Sequence, residues 1–497
     1  MNFEKSFKDE CGVFGIWNHP EASRLTYLGL YAMQHRGQES AGIVSLNWDS
    51  GEHLIHKNLG LVADVFHEKD LQRLQGLSAI GHVRYSTTGG NTLLNAQPLS
   101  ANLLNGPVAV AHNGNIVNSV ELKKQLQQAG AIFQGSNDTE ILLHLLSRNR
   151  SNHLRTALFE SLNNLVGAFS FVILSHDRLL VARDALGFRP LVLGTISSDH
   201  PQASGLGYVV ASETCALDLI GAQFVREIEP GDILEISKDG LISQKYVSSS
   251  KHPSEKLSQC IFEHVYFARP DSVVFGRSVY NSRKKFGEQL ALQEKKRLHP
   301  VHADVVIPVP DSGVPAALGY SQVSGVPFEF GIIRNHYIGR TFIQPGQSIR
   351  DLGVKIKLNP QPDVLKGKKV IVIDDSLVRG TTSQKIISLI RQAGALEVHL
   401  RIASPPTTGP CYYGVDTPQK NQLIASHQSL EDICRYIGAD SLNYLSEAGM
   451  WTAIDGGPEK FCAACFNGNY PTSLKSVETS QKNDSSQKTN LASSSTW

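Results

Sequence analysis

No uninterrupted apolar stretch of about 18 residues occurs in this 497-residue chain, which excludes a transmembrane helix. An excess of charge of one sign is also missing. Lys and Arg number 47 against 46 Asp and Glu, a formal net charge of +1, so there is no electrostatic footprint for nucleic acid or an anionic membrane. The opening MNFEKSFKDE carries five charges and no apolar core, which fits neither a signal peptide nor an acid-poor transit peptide. Without a secretion signal, an odd count of seven cysteines points to free thiols in a reduced, cytoplasmic setting rather than to disulfides. Internal repeats are absent too. What is present is ordinary for a soluble globular protein, with 41% hydrophobic and 7% aromatic residues. The length is about three times that of a usual domain, enough for two or three cores.

From Cys11 to about Val247 the pattern is strand-rich. CGVFGIW reads as a strand and EASRLTYLGLYAMQHRG as an amphipathic helix that Gly37 can end. Strand-like runs recur at SAIGHVRYS, PVAVAHNG, AFSFVILS, RLLVARD and GYVVAS, with helical stretches at Val120 to Ala129 and Thr139 to Leu146. Layered sheets covered by helices are expected. VSSSKHPSEKLS, Val247 to Ser258, reads as a linker. Beyond it strand, loop and helix alternate: ADVVIPVP before a helix near Ser312, KKVIVIDD before one over Thr382 to Ala393, then EVHLRIASP. That is the pattern of βαβ units on a parallel sheet. From Thr472 to Trp497 the chain is rich in Ser, Thr, Lys, Gln and Asn, and reads as a disordered tail.

The strongest single signal is VIVIDDSLVRGTTS, Val370 to Ser383. A β-branched strand ends in the adjacent carboxylates Asp374 and Asp375, and Gly380 with Thr381, Thr382 and Ser383 then opens a helix. Backbone N–H groups and hydroxyls at a helix N-terminus bind phosphate, and carboxylates at a strand tip bind ribose hydroxyls or Mg²⁺. The bland alternative is a capped helix following a strand. The order of residues is not that of a Walker loop. The whole string resembles the signature of type I phosphoribosyltransferases, which use 5-phosphoribosyl-1-pyrophosphate (PRPP). By that resemblance the 5-phosphate sits on the loop Arg379 to Ser383. IPVPDSG places Asp311 and Ser312 at another strand end, where pyrophosphate and metal can meet. RNHYIGRTFIQPGQSIR, Arg334 to Arg350, resembles the family's basic closing loop, with Arg334, Tyr337 and Arg340 as its ligand-facing residues. That loop often begins with Lys where Arg334 stands, and a second Arg is common where this chain has His336.

Cys11 starts the strand CGVFGI, and by itself a cysteine there is usually a small buried hydrophobe. Together with QHRGQESAGI, GHVRYSTTG, AHNGNIVN and SNDTE, in that order, CGVFGI resembles the glutaminase domain of the N-terminal-nucleophile amidotransferases. The resemblance implies an αββα fold and removal of a propeptide, residues 1–10. Cys11 then becomes a nucleophile whose own α-amine is the base. It further implies an oxyanion hole from the Asn113 side chain and the Gly114 N–H, with Arg84 on the glutamine α-carboxylate and Asp138 on its α-ammonium. Arg36 is either a further substrate-binding residue or half of a structural ion pair.

Cys462 and Cys465 form a C-x-x-C, with Cys260 and Cys411 far upstream. Spacing leaves a Cys₄ zinc site, a redox pair, an iron–sulfur cluster and no function at all open. Cys215 and Cys434 read as buried structural thiols.

Taken together, Cys11 to about Pro471 resembles the glutamine PRPP amidotransferases, in their iron–sulfur-containing subclass. That resemblance assigns a [4Fe–4S] cluster to Cys260, Cys411, Cys462 and Cys465. It implies a glutaminase domain over residues 11–247 and a phosphoribosyltransferase domain over 259–471. Ammonia from glutamine would then displace pyrophosphate from PRPP with Mg²⁺, giving 5-phosphoribosylamine for purine synthesis. Feedback by purine nucleotides and a homotetramer are implied as well. Two competing readings are another amidotransferase of the same class, for instance one aminating fructose 6-phosphate, and a PRPP-sensing regulatory protein.

Overall fold

The computed structural model describes residues 11–85, 92–198, 205–246, 257–335, 358–417 and 419–474. Among them no helix is long and apolar enough to cross a membrane.

In the N-terminal half the strand Gly12–Trp17 is buried along its whole length, because it has a core on each face. Val13 and Trp17 enter a core shared by two sheets, while Phe14 and Ile16 enter another on the opposite side. The two-residue period of a strand separates them. This strand is central in a seven-stranded antiparallel sheet, paired to Ser78–Arg84 on one side and Leu206–Ala211 on the other. A six-stranded antiparallel sheet, which includes Gly106–Ile116 and Gly167–Ser175, lies against it. In Gly167–Ser175 the same alternation sends Val172 and Leu174 to the shared core and Phe169, Phe171 and Ile173 outward.

Helices close both outer faces. Ala22–Ala32 covers the first sheet through Ala22 and Leu30. Ser119–Gln128, Glu140–Arg148 and Leu154–Leu162 cover the second through Leu122, Leu126, Ile141, Leu142 and Leu158. The result is the expected helix–sheet–sheet–helix stack, although the first helix ends at Ala32 with Met33 as its cap, short of Gly37.

The C-terminal half holds four parallel strands in the order Val305–Pro308, Lys369–Asp374, Glu397–Ile402 and Ser441–Tyr444. Both faces are again buried, as parallel sheets require. Val306, Ile371 and Ile373 meet the helices Val279–Lys295 and Val314–Ser324. Val305, Ile307, Val370 and Val372 meet Thr381–Gln392 and Leu430–Ile437. The helix Val279–Lys295 was not anticipated. Its sequence is dominated by charge, with apolar anchors only at Val279, Phe286, Leu290 and Ala291.

Most of the linker, residues 247–256, lies outside the described residues, as do 475–497 of the tail. Residues 472–474, read as the start of that tail, are attached to the protein. The Thr472 N–H donates to the Tyr413 hydroxyl at 3.2 Å, and Leu474 packs beside Phe188 and Tyr413.

Candidate active site

Cys11 precedes the central strand and is 7% exposed. Its Sγ donates to Tyr85 O at 3.6 Å. Burial pushes the thiol up to about 11, against opposing contributions from that hydrogen bond and from Arg84. The pairing of Gly12 with Val83 sets Arg84, itself buried, beside the strand start. The fields of Arg84, Asp138 and Glu39 all reach the sulfur.

Asn113 and Gly114 lie on the strand Gly106–Ile116 of the second sheet. His82 Nε2 bridges the sheets to His112 O at 3.0 Å, next to Asn113. Both side-chain atoms Nδ2 and Oδ1 of Asn113 are buried without a hydrogen-bond partner among the described residues. A buried amide left open in this way costs about 1–3 kcal/mol, a sign of a site built for a ligand. Asp138 accepts from Ile116 N–H at 2.8 Å through Oδ2. Burial works against its charge, but His112 and these hydrogen bonds outweigh it and hold the carboxyl below its usual range. Residues 86–91, which include the end of the GHVRYSTTG segment, lie outside the described residues.

Arg36 takes the structural alternative. Its guanidinium is fully buried and committed to Glu213 through Nε and to Glu263 through Nη1 and Nη2. Burial also opposes the Glu213 charge, yet Arg36 and His35 hold that carboxyl well below its ordinary range. Glu263 belongs to the C-terminal half, so Arg36 ties the two halves together. Of the two readings of Arg36 the geometry supports the ion pair, since the guanidinium is fully buried against Glu213 and Glu263.

The second cluster forms at the C-terminal edge of the parallel sheet, where open α/β sheets bind ligands. The register of Pro308 with Ile373 brings the loop after one strand next to the tip of the other. Ser312 accordingly hydrogen-bonds Asp375, as does Ser376. Asp374 and Asp375 are both buried, at 8% and 7% exposure. Burial raises both carboxyls, Asp374 well above its usual value with the Asp375 charge adding to the effect. Gly380 caps the helix Thr381–Gln392 with φ +77°, a left-handed conformation that glycine adopts freely. Thr381, Thr382 and buried Ser383 follow in the first turn. Arg379 donates to Gln422 Oε1 at 2.6 Å. Arg334 pairs with Asp311 at 2.7 Å, both half exposed. Tyr337 and Arg340 lie outside the described residues.

Arg283 was missed with its helix. It is 4% exposed, donates to His264 O and Ala268 O, and its field reaches Asp375. Its only trace in the sequence is a cation on the otherwise inward face of a charged helix.

Cys260, Cys411, Cys462 and Cys465 line one small cavity of about 20 Å³, walled by Phe188, Phe262, Tyr413 and Tyr470. Burial, reinforced by neighbouring sulfurs, pushes Cys260 and Cys462 up to about 12 and Cys465 well above its ordinary value. Such thiols stay protonated unless a cation claims them. Among the described residues no group of three or more His, Cys, Asp or Glu is arranged to hold a metal ion. All seven cysteines are free. Cys215 is buried as expected, whereas Cys434 is only partly buried, near a helix end where its Sγ donates to Ala439 O.

Comparison with known proteins follows the same division. A glutamine amidotransferase domain matches residues 82–218, and a phosphoribosyl transferase domain matches 287–411. The chloroplastic amidophosphoribosyltransferase 1 of Arabidopsis thaliana is 51% identical over 471 residues, 95% of this chain and 80% of that one. The amidophosphoribosyltransferase of Bacillus subtilis (strain 168) is 46% identical over 478 residues, 95% and 96% of the two chains. A solved structure described as the allosteric regulatory enzyme of purine biosynthesis superposes with a TM-score of 0.86 at 45% identity, covering 93% of this chain and 97% of that one. The B. subtilis glutamine PRPP amidotransferase complexed with ADP and GMP gives 0.84 at 46%, covering 93% and 98%. A fructose 6-phosphate amidotransferase and a purely regulatory PRPP-binding protein both fall away, since relatives of one activity span both halves. The chain belongs to the amidophosphoribosyltransferases, the enzymes that make 5-phosphoribosylamine from glutamine and PRPP in the first committed step of purine biosynthesis.

Proposed function

We propose that the reaction is divided between Cys11 and the Asp374–Asp375 edge, with ammonia passing between them. Removal of residues 1–10 frees the α-amine of Cys11, which takes the thiol proton. A thiol held near 11 by burial is almost entirely protonated at neutral pH, so an adjacent base is essential to it. The sulfur attacks the amide carbon of glutamine, and the developing oxyanion is held by Asn113 Nδ2 and the Gly114 N–H. The C–N bond then breaks to release ammonia, and water cleaves the thioester to give glutamate. Arg84 binds the α-carboxylate through its fork and Asp138 the α-ammonium. The buried, unpartnered amide of Asn113 is the observation that carries this half.

In the second half ammonia attacks C1 of PRPP, the C1–oxygen bond breaks and pyrophosphate leaves. Gly380, Thr381, Thr382 and Ser383 hold the 5-phosphate with Arg379 beside them, while Asp374 and Asp375 take the ribose hydroxyls. The loop 334–350, with Arg334, Tyr337 and Arg340, closes over the site and keeps water and ammonia from exchanging. Ser312, Asp374 and Asp375 fit Mg²⁺, since two adjacent buried carboxyls that resist ionisation accept a cation in place of a proton. When bound, Mg²⁺ neutralises charge on the departing pyrophosphate.

Cys260, Cys411, Cys462 and Cys465 fit a [4Fe–4S] cluster. Four sulfurs brought to one apolar cavity supply the thiolate ligands that such a cluster takes. A purine nucleotide is the expected inhibitor, as a relative of known structure is complexed with ADP and GMP. Residues 11–247 and 259–471 act as the two catalytic domains, the enzyme assembles as a homotetramer, and its site of action is the cytoplasm. Chloroplastic relatives make a plastid the alternative location.

The test is an anaerobic assay with glutamine, PRPP and Mg²⁺, following glutamate and pyrophosphate together. Equal release, each dependent on the other substrate, is expected. Glutamate without pyrophosphate from a chain beginning at Cys11 would overturn the second half of the proposal.

A further inference from the structure

The oxyanion-hole strand is touched by a segment of the other catalytic half. Gly414 has φ +111°, and a Cβ there would stand 3.0 Å from both Cα and C of Gly114. The same Cβ would also stand 3.2 Å from Arg189 Nη2. One residue along, Asn115 Nδ2 donates to Tyr412 O at 2.9 Å. Tyr413 is fixed between them, because Arg189 Nε donates to its carbonyl at 2.9 Å and its ring stacks on Phe188 at 4.2 Å. Within its own domain Gly114 is close to Ala168 O, which stands 2.1 Å from where a Cβ would be. The backbone at Gly114 is therefore crowded both by its own domain and, at its Cα and C, by the phosphoribosyltransferase half.

We infer that Gly414, with the Tyr412 carbonyl, is a positioning residue for the glutaminase reaction, holding the Gly114 N–H at the place where the oxyanion forms. This rests on the reading of Gly114 as an oxyanion donor. Neither residue touches glutamine in this role. A backbone N–H has no rotamer with which to correct its aim, so its direction is set entirely by what packs against the peptide. A donor displaced by about 1 Å loses about a hundredfold in rate, and glutaminase competence thus depends on the correct seating of the C-terminal half.

The test uses the full-length enzyme with residues 1–10 removed, and compares Gly414→Ala with Asn115→Ala and with Asn113→Ala as reference. The probe for the oxyanion hole is the γ-semialdehyde of glutamate. Its carbonyl carbon bonds to Cys11 Sγ, the thiol proton passes to the α-amine, and the former carbonyl oxygen occupies the hole. Glutamate is the probe for ground-state binding.

For Gly414→Ala, glutamine-dependent kcat is expected to fall about tenfold to a hundredfold. Affinity for the aldehyde falls by the same factor, while affinity for glutamate and ammonia-dependent synthesis stay within about twofold. If that variant does not fold, Asn115→Ala decides, with the same pattern at smaller size. Equal losses for aldehyde and glutamate, or a parallel loss of ammonia-dependent synthesis, would mean a merely structural contact and overturn the inference. If Asn113→Ala loses the aldehyde selectively and the other two variants do not, the inference alone fails. If Asn113→Ala also leaves aldehyde binding unchanged, the oxyanion-hole reading fails and takes the inference with it.

Discussion

Cys260 and Cys462 are register partners on two parallel strands, Gln259–Cys260 and Phe461–Cys462, which join the start of the C-terminal half to its end. The Ile261 N–H donates to Cys462 O at 3.2 Å, and the Gln259 N–H to Lys460 O at 3.0 Å. A two-residue pairing is too short to stand alone, so the proposed cluster, if held by the two sulfurs, would also fasten these two strands. Anaerobically purified protein is expected to contain four irons and four sulfides per chain. Cys260→Ser or Cys462→Ser should lose the iron and lower the melting temperature, whereas Cys434→Ser should change neither. Stoichiometric zinc in iron-free protein would reject the cluster.

Cys11→Ala separates the two halves of the reaction. Glutamine-dependent synthesis should fall by at least about a thousandfold, because the bond-forming atom is gone. Ammonia-dependent synthesis from PRPP should survive. Loss of both, measured as pyrophosphate release, would give Cys11 a structural role instead.

The paired carboxyls can be tested in the opposite direction. Asp374→Asn with Asp375→Asn should reduce PRPP-dependent turnover by about a hundredfold or more, since charge stabilisation by a bound metal is worth several kcal/mol. Binding of the glutamate semialdehyde at Cys11 should be unaffected. Retained turnover would remove these residues from the PRPP site.

Arg36→Ala should act on stability. It would leave Glu213 and Glu263 buried without their shared partner, and breaking a buried pair in this way costs about 3–5 kcal/mol. Urea unfolding measures the loss. A variant of unchanged stability would contradict the ion-pair assignment.

A pH dependence follows from the Cys11 thiol. Only the thiolate is alkylated, and burial raises this thiol from its ordinary value to about 11. In the chain that still carries residues 1–10, alkylation of Cys11 by iodoacetamide should therefore be very slow at pH 7. It should rise about tenfold per pH unit, without the plateau that an ordinary cysteine reaches near pH 9. Peptide mass mapping reads the extent, and a plateau by pH 9 would mean the thiol is not held up.

The motifs that define the chemistry are local, and the sequence carries them openly. Asp374 and Asp375 end a strand and Gly380 begins a helix because a β-branched run, two turn-forming acids and a glycine allow little else. Period-two alternation in GVFGIW and AFSFVILS likewise follows from a strand with a core on each face. The sequence by itself therefore determined the two-part architecture, the strand tip at Asp374 and Asp375 with the helix start after Gly380, and the family.

Tertiary structure alone decided the rest. Arg36 has the same local sequence whether it binds a substrate or a protein carboxylate, and only the folded chain brings Glu213 and, from the other half, Glu263 to its guanidinium. The four cysteines come from three separate stretches of chain, and their meeting depends on the pairing of strands at the two ends of a domain. The contact of Gly414 with Gly114 joins two glycines that carry no side-chain signal at all. Such long-range meetings are set by packing between finished elements, and composition, periodicity and spacing record nothing of them.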